Sequence, residues 1–173
     1  LAETIKANAE VPFGFIPQPV YFAHVARRHF ELYGTSAEQL GAIAVASRRH
    51  ANGHPGAVMR GKTLTLEQYL AREPFIDPLR IEDCCLISDG ACAYVMTAAE
   101  GARDYTMPAV IVEGVGYAGA IEVIHFAMEP EFASTPHRMS APGAFAMAGL
   151  TPAEVDVLAV YDPFTVVALM AIE

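Results

Sequence analysis

Asp156-Val157-Leu158-Ala159-Val160-Tyr161-Asp162-Pro163-Phe164-Thr165 is a stretch in which a strand, a turn and the start of a helix follow one another. Its short apolar run has strand-like composition and leads Tyr161 and Asp162 into the turn, and Pro163 opens an apolar segment of helical length. Loops between a strand end and a helix N-terminus commonly hold reactive groups in α/β proteins. Tyr161 is therefore a candidate proton donor or acceptor; the alternative is a tyrosine that ends a core strand with its hydroxyl in water.

Composition and charge limit the class of protein to which this stretch can belong. The chain has 173 residues, of which 53% are hydrophobic and only 18% charged, so disorder is excluded as its main state. No apolar run approaches the roughly 20 residues that span a bilayer, and no secretion signal is recognisable at the start. A net charge of −9 argues against nucleic acid and anionic membrane surfaces as partners. It does not exclude an anionic ligand such as a coenzyme A thioester, because local arginines can bind one.

Three cysteines indicate a reducing compartment. Cys84, Cys85 and Cys92 are odd in number, adjacent cysteines rarely pair, and the chain has no CxxC. We expect small buried residues and a cytoplasmic protein. A nucleophilic role is disfavoured, because Asp83 and Asp89 would raise a neighbouring thiol pKa.

Both ends of the chain look unfinished. The last segment, Val166–Glu173, is uninterruptedly apolar up to its final residue and stops with no Gly, Asn or Pro to end a helix. Such a segment needs cover from another element. We therefore expect a piece of a larger protein, or a chain whose core a partner completes.

Helices and strands are predicted to alternate, which indicates the α/β class. The predicted helices are Pro19–Tyr33, Ser36–His50, Leu66–Ala71, Ala98–Asp104, Met139–Ala148 and Phe164–Ile172, with a short helix after Thr151. The predicted strands are Leu79–Ile81, Ala91–Thr97, Ala109–Val115 and Val157–Val160. The stretch from Gly116 to Arg138 has no clear period.

Local signals refine these helices. A Thr-x-x-Glu/Gln pattern that can cap a helix reciprocally occurs at Thr35/Glu38, Thr65/Gln68, Thr97/Glu100 and Thr151/Glu154. In the helix ended by Gly34, an inward stripe is predicted from Phe22, Ala26, Phe30 and Tyr33.

Two further patterns are weak signals of function. His50 and His54 have the spacing of metal ligands on one helix face, but Gly53 and Pro55 indicate that the helix has ended there, so loop histidines and no metal are expected. The run Gly114-Val115-Gly116-Tyr117-Ala118-Gly119 is close to a dinucleotide fingerprint, but it lacks the following helix and a well-spaced acid.

Three segments, in order and covering most of the chain, resemble the thiolase superfamily in its sterol-carrier and lipid-transfer branch. They are residues 33–52, residues 77–93, which read Pro-Leu-Arg, then Asp-Cys-Cys and Ser-Asp-Gly-Ala, and residues 150–165. The resemblance implies a layered αβαβα fold of two βαβαβαββ halves, usually a dimer. Residues 1–108 would be the C-terminal part of the first half, including loop-region helices, and residues 109–173 the start of the second. The family's nucleophilic cysteine and its Gly-His-Pro loop would lie outside this chain.

The resemblance also assigns a role to the loop at Tyr161. Thiolases of this branch read His-Asp-x-Phe there, and the histidine helps bind the thioester oxygen. Tyr161 replaces that histidine, while Asp162 and Phe164 match and would support the loop, with Asp162 fixing it or capping the next helix. With a tyrosine at this place, the chain resembles the thiolase-like aldolases of steroid side-chain degradation. Those enzymes cleave β-hydroxyacyl-CoA by retro-aldol chemistry and work with an OB-fold partner.

Three functions follow as expectations. The first is retro-aldol cleavage of a bulky β-hydroxyacyl-CoA, with coenzyme A carried by the substrate, no tightly bound cofactor, and a homodimer as the assembly. The second is an acetyl-CoA acyltransferase whose cysteine nucleophile lies elsewhere, and the third is a non-catalytic acyl-CoA or lipid-binding homologue. Arg60 and Lys62, within residues 52–62, could meet coenzyme A phosphates; the alternative is a solvated turn.

Overall fold

The computed structural model describes residues 2–119 and 131–173. Within these residues the α-helices are α1 (Ala2–Ile5), α2 (Gln18–Tyr33), α3 (Ala37–Gly53), α4 (Leu66–Leu70), α5 (His137–Ala148) and α6 (Thr165–Ile172). A π-helical turn covers Lys6–Glu10, and 3₁₀ turns cover Val11–Phe13, Ile81–Asp83, Ala99–Asp104 and Pro152–Glu154.

The chain divides into two compact units. Among the described residues, the first unit holds 2–85, 131–135 and 159–173, and the second holds 86–119 and 136–158. The first unit contains five of the described α-helices, α1 to α4 and α6, and the loop that leads into α6. The second is built around α5.

The core of the first unit forms where helices α2, α3, α4 and α6 meet. Helix α3 packs against α4 and α6, and α2 also contacts α6. The fully or nearly fully buried apolar side chains are Ala23, Val25, Ala26, Leu40, Ala44, Tyr69, Leu79, Phe164 and Val166. Burial of each large side chain in such a core stabilises the fold by about 1.5–3 kcal/mol. The loop before α6 is thus attached to a well-packed unit.

Most predicted helices are confirmed within one to three residues of their predicted ends. Helix α2 ends at Gly34, whose φ of +69° is the left-handed conformation that glycine adopts without steric cost. Helix α5 ends in the same way at Gly149, with φ of +67°. The segment predicted as a helix after Ala98 is instead the 3₁₀ turn Ala99–Asp104.

Two of the four predicted capping boxes are confirmed. Thr65 pairs with Gln68, and Thr151 pairs with Glu154. The box predicted at Thr35 is wrong by one residue: the Ser36 amide donates to Gln39 Oε1 at 2.8 Å. The Thr35 hydroxyl is instead bonded to the buried His29 Nδ1 at 2.7 Å, which explains the shift. The box predicted at Thr97 is also wrong, because its hydroxyl bonds the next carbonyl.

The inward stripe of α2 is rotated from its prediction. Ala26 is buried and Phe22 and Phe30 pack partly against the core, as predicted, but Tyr33 is 65% exposed. The face also includes Tyr21 and His29, which have polar groups that an apolar pattern does not count. Both are hydrogen-bonded: Tyr21 donates to Glu10 Oε2 at 2.5 Å, and His29 bonds Thr35.

The four predicted strands are not formed as ladders in the part of the chain that the structure describes. Pairing there is confined to the isolated bridges Ile76–Leu79 and Cys84–Phe164. A strand exists only through hydrogen bonds to a neighbour, and the apolar runs that were expected to be buried have no such neighbour here. Val95, Val110 and Val157 are accordingly exposed. Residues 120–130 of the stretch without a clear period lie outside the described residues.

The glycines of the weak dinucleotide pattern have a packing role. An added Cβ at Gly114 would lie 2.1 Å from the Ala144 carbonyl oxygen, and one at Gly116 would lie 2.0 Å from that of Ser140. Both partners belong to the backbone of α5, within the second unit. These glycines therefore let the chain lie directly against a helix, and no phosphate is needed to explain them.

Replacing Gly116 with alanine is expected to destabilise the protein by about 1–3 kcal/mol, because the clash is with helix backbone that cannot rotate away. The control is Gly143→Ala in α5, where a Cβ meets nothing within 4 Å and alanine favours the helix by about 0.5–1 kcal/mol. Urea unfolding of both variants measures the difference. Equal stability of the two would contradict the close approach.

Candidate active site

Tyr161 lies in the loop that precedes helix α6, and its side chain faces solvent. The residue is 77% exposed in this chain. Asp162 beside it is also exposed, whereas Pro163, Phe164 and Thr165 are buried. The side chains of this loop therefore change from exposed to buried between Asp162 and Pro163.

Phe164 anchors the loop through its ring. It is 3% exposed, and its ring stacks on Phe22 of α2 with centroids 4.3 Å apart. Phe164 is also the N-cap residue of α6, which has no side-chain capping bond. The capping role expected of Asp162 is therefore wrong, because the helix begins two residues later than that role requires. Whether Asp162 supports the loop in another way stays a prediction.

The backbone of the loop is held by residues 84–85. The Cys85 amide donates to the Pro163 carbonyl at 3.0 Å, and Cys84 and Phe164 form an isolated antiparallel bridge. The backbone after Tyr161 is thus held by hydrogen bonds, whereas the Tyr161 side chain is exposed.

A buried carboxylate that the sequence did not reveal lies beneath this loop. Asp83 is 1% exposed and accepts three donors: the Tyr69 hydroxyl at 2.9 Å to each oxygen, the Arg80 amide at 2.7 Å, and the Thr165 hydroxyl at 2.5 Å. Burial, and then the Asp83 charge and hydrogen bond, raise the pKa of Tyr69, which keeps it a donor. The Arg80 guanidinium lies 4.8 Å from the Tyr69 ring centroid. We call Asp83, Tyr69 and Thr165 the Asp83 network.

The cysteines do not form a nucleophilic site. Burial, followed by the charges of Asp83 and Cys85, raises the pKa of Cys84 to about 11, as the neighbouring carboxylate led us to expect. The expectation that all three cysteines are buried is wrong. Cys84 is half-buried, whereas Cys85 and Cys92 are exposed. Cys92 lies in the predicted strand Ala91–Thr97, which is unpaired among the described residues.

Cys84 is therefore expected to react with iodoacetamide at pH 7.5 far more slowly than glutathione does. The thiolate is the reactive form, and a thiol with a pKa near 11 forms it only as the pH rises toward that value. Peptide mass spectrometry after timed alkylation measures this at pH 7.5 and pH 10. Labelling of Cys84 as fast as glutathione at pH 7.5 would refute the raised pKa.

His50 and His54 lie on the two sides of the end of helix α3. His50 is in the last turn of α3, and His54 follows the helix with its Nδ1 accepting the Gly56 amide at 3.1 Å. Among residues 2–119 and 131–173, no group of three or more His, Cys, Asp or Glu side chains is placed to hold a metal.

No described helix is long and apolar enough to cross a membrane.

The turn after α3 is organised by one side chain and carries positive charge. Asn52 Oδ1 accepts the Gly61 amide at 2.7 Å, and its Nδ2 donates to the carbonyls of Arg48 and Lys62 at 2.9 and 3.1 Å. Arg60 is exposed and donates to the Pro55 carbonyl at 3.4 Å. The turn is thus a defined loop that displays basic side chains.

Comparison with known proteins finds relatives across nearly the whole chain. The family model described as Thiolase C-terminal domain-like matches residues 118–173. The chain is 34% identical over 166 residues to the 17-hydroxy-3-oxo-4-pregnene-20-carboxyl-CoA lyase of Mycobacterium tuberculosis, covering 94% of this chain and 43% of the lyase. It is 36% identical over 156 residues to the acetyl-CoA acetyltransferase of Methanothermobacter thermautotrophicus, covering 90% and 40%.

A solved structure has the same fold. The Ltp2-ChsH2(DUF35) aldolase matches with a TM-score of 0.84 at 25% identity, over 99% of this chain and 46% of that chain. The expected thiolase-like fold is therefore confirmed, and the chain spans less than half the length of the relatives it matches. The division of the chain at residue 108 into two thiolase halves stays a prediction. The chain is part of a longer thiolase-like fold, and it is similar over nearly its whole length to enzymes named as an aldolase, a CoA lyase and an acetyltransferase.

Proposed function

We propose that the protein to which this chain belongs is a carbon–carbon lyase that cleaves a β-hydroxyacyl-CoA by retro-aldol chemistry. The substrate would carry a steroid or similarly bulky lipid group, and a short acyl-CoA would be released. The observation that carries the proposal is the accessible Tyr161 at the start of α6, in a chain whose relatives include a lyase acting on a steroid-type CoA thioester.

The reaction needs two proton transfers and no covalent enzyme intermediate. A base removes the proton of the β-hydroxyl, the bond between Cα and Cβ breaks, and its electron pair moves into the thioester as an enolate. The Cβ fragment leaves as a carbonyl compound, and an acid delivers a proton to Cα to give the shorter acyl-CoA. Such positioned acid and base groups each contribute about 10²- to 10⁴-fold in rate.

Tyr161 is suited to donate a hydrogen bond or a proton in this reaction. A phenol hydroxyl is both a hydrogen-bond donor and an acceptor, and in its neutral form it can donate to a substrate oxygen. Acting as the base would require a nearby cation or donors that stabilise the phenolate. We therefore assign Tyr161 to the β-oxygen or the enolate oxygen of the substrate.

The coenzyme A part of the substrate would meet the turn after α3. Arg60 and Lys62 lie close together on this turn, and Asn52 fixes its backbone. Cations on a defined loop suit the phosphates of coenzyme A in a chain of net charge −9, in which a local positive charge is needed to attract an anion. We further propose a cytoplasmic homodimer that works with an OB-fold partner protein.

Testing the proposal requires the intact protein and two competing assays. We expect cleavage of a steroid-type β-hydroxyacyl-CoA to give one carbonyl product and one shorter acyl-CoA, both identified by mass spectrometry. The second assay follows acetyl transfer between two acetyl-CoA molecules. A kcat/KM for acetyl transfer that exceeds the value for cleavage would overturn the proposal.

The second candidate is an acetyl-CoA acetyltransferase, which the 36% identity to an enzyme of that name favours. Acyl transfer in this fold would need a cysteine nucleophile, which the resemblance places outside this chain. A third candidate, a non-catalytic acyl-CoA or lipid-binding protein, would bind the thioester tightly and release no product in either assay.

A further inference from the structure

The Asp83 network bonds directly to the first residue of helix α6. Thr165 donates from its side chain to Asp83 Oδ1, and it lies four residues after Tyr161 in the chain. With the Cys85–Pro163 bond and the Cys84–Phe164 bridge, residues 83–85 hold residues 163–165 at three successive positions. This attachment is the only one of the three that depends on two side chains.

The carboxylate is more than a packing residue. A buried charge destabilises a fold unless donors surround it, and an apolar residue of similar volume would avoid that cost. Asp83 nevertheless lies in the core at 1% exposure, with donors from α4, from α6 and from the N-cap residue of its own 3₁₀ turn. An arrangement of this kind fixes the orientation of the groups it joins, because each hydrogen bond is directional.

Tyr69 also restrains the Asp83 carboxylate. Its ring is fully buried between α3 and the Arg80 guanidinium, so its hydroxyl has a fixed position from which to hold both oxygens of Asp83. The Asp83 carboxylate consequently cannot turn away from Thr165 without breaking its bonds to Tyr69. The start of α6 is tied in this way to the rigid helical core.

We propose that Asp83 is a positioning residue for the reaction: through Thr165 it fixes the start of α6 and so the place from which Tyr161 reaches the substrate. The inference rests on the proposed function, because it assumes that Tyr161 takes part in cleavage. A displacement of about 1 Å in a reacting group can cost on the order of 100-fold in rate. Loss of this restraint should therefore lower kcat and leave substrate binding nearly unchanged.

The experiment is a double-mutant cycle in the intact enzyme with a β-hydroxyacyl-CoA substrate. Thr165→Val removes the hydroxyl that meets Asp83, and Tyr161→Phe removes the group it positions. We expect Thr165→Val to lower kcat roughly 10- to 100-fold with KM changed less than about threefold. In the Tyr161→Phe background the same change should have almost no further effect, since there is no hydroxyl left to position.

Two further variants separate positioning from general loss of structure. Thr165→Ser keeps the hydroxyl and should restore most of the kcat. Thr151→Val, which removes a surface hydroxyl bonded to Glu154, should leave kcat unchanged. If Thr165→Val does not fold, Asp83→Asn replaces it in the cycle, because an amide cannot accept all three donors and preserves the side-chain shape.

The outcomes distinguish the two claims. Equal losses of kcat from Thr165→Val in both backgrounds would overturn the positioning role while leaving the proposed function intact. No loss of cleavage in Tyr161→Phe itself would overturn the role of Tyr161, and the positioning inference with it. Failure of Thr165→Ser to restore kcat would also contradict the inference, because the hydroxyl would then not be the group that matters.

Discussion

Replacing Tyr161 with phenylalanine is expected to lower kcat for cleavage of the β-hydroxyacyl-CoA by about 10²- to 10⁴-fold. The change removes only the hydroxyl oxygen from a residue that is 77% exposed, so the free energy of unfolding should stay within about 0.5 kcal/mol of the parent value. If the hydroxyl acts in the transition state alone, kcat and kcat/KM fall together. Steady-state kinetics and urea unfolding measure the two quantities.

The matched control for this change is Tyr33→Phe. Tyr33 ends helix α2, is 65% exposed, and contacts His29 through its ring, which phenylalanine keeps. We expect this variant to retain its kcat. Full cleavage activity in a stably folded Tyr161→Phe enzyme would remove Tyr161 from the mechanism.

Replacing Gly41 with alanine is expected to destabilise the first unit by about 1–3 kcal/mol. An added Cβ would lie 2.6 Å from both Leu66 Cδ1 and Tyr69 Cδ1. The Tyr69 ring is fully buried, and a shift of the ring away from the added Cβ should displace its hydroxyl from Asp83. We therefore expect lower stability together with a lower kcat, measured by urea unfolding and by the cleavage assay.

Gly53→Ala is the control in the same helix. Nothing lies within 4 Å of a Cβ at Gly53, and it is a glycine with ordinary helical φ, so alanine should be neutral or stabilising by up to about 1 kcal/mol. A Gly41→Ala protein as stable as the Gly53→Ala protein would contradict the close packing of α3 on α4.

Helices were predictable because their signals are local. Gly34 and Gly149 end helices through their own backbone conformation, and Thr65 and Thr151 begin theirs with the residue three positions on. The capping box at Thr35 failed because a tertiary contact took its hydroxyl: His29, six residues earlier, comes close to Thr35 only after the chain has turned. A local sequence pattern does not show that another side chain competes for the capping hydroxyl.

Strands and the support of the site depend on partners distant in sequence. The apolar runs around Val110 and Val157 have strand composition, but a ladder needs a neighbouring chain segment, and the longer relatives contain more than twice this length. Tyr161 could be proposed as a site residue because the resemblance places it in an active-site loop. Asp83 could not, since its bond to Thr165 joins residues 82 positions apart and no spacing rule connects them.

The most direct measurement is to incubate the intact enzyme with a β-hydroxyacyl-CoA in D₂O without free coenzyme A. Retro-aldol cleavage predicts one carbonyl product and one acyl-CoA per substrate molecule, with one deuterium at the α-carbon of the acyl-CoA, because the enolate takes its proton from an exchangeable acid such as a tyrosine hydroxyl. Mass spectrometry reads the stoichiometry and the label together. If the β-hydroxyacyl-CoA stays intact and the enzyme instead cleaves the corresponding β-ketoacyl-CoA when free coenzyme A is added, the chemistry is thiolytic and the retro-aldol account is contradicted.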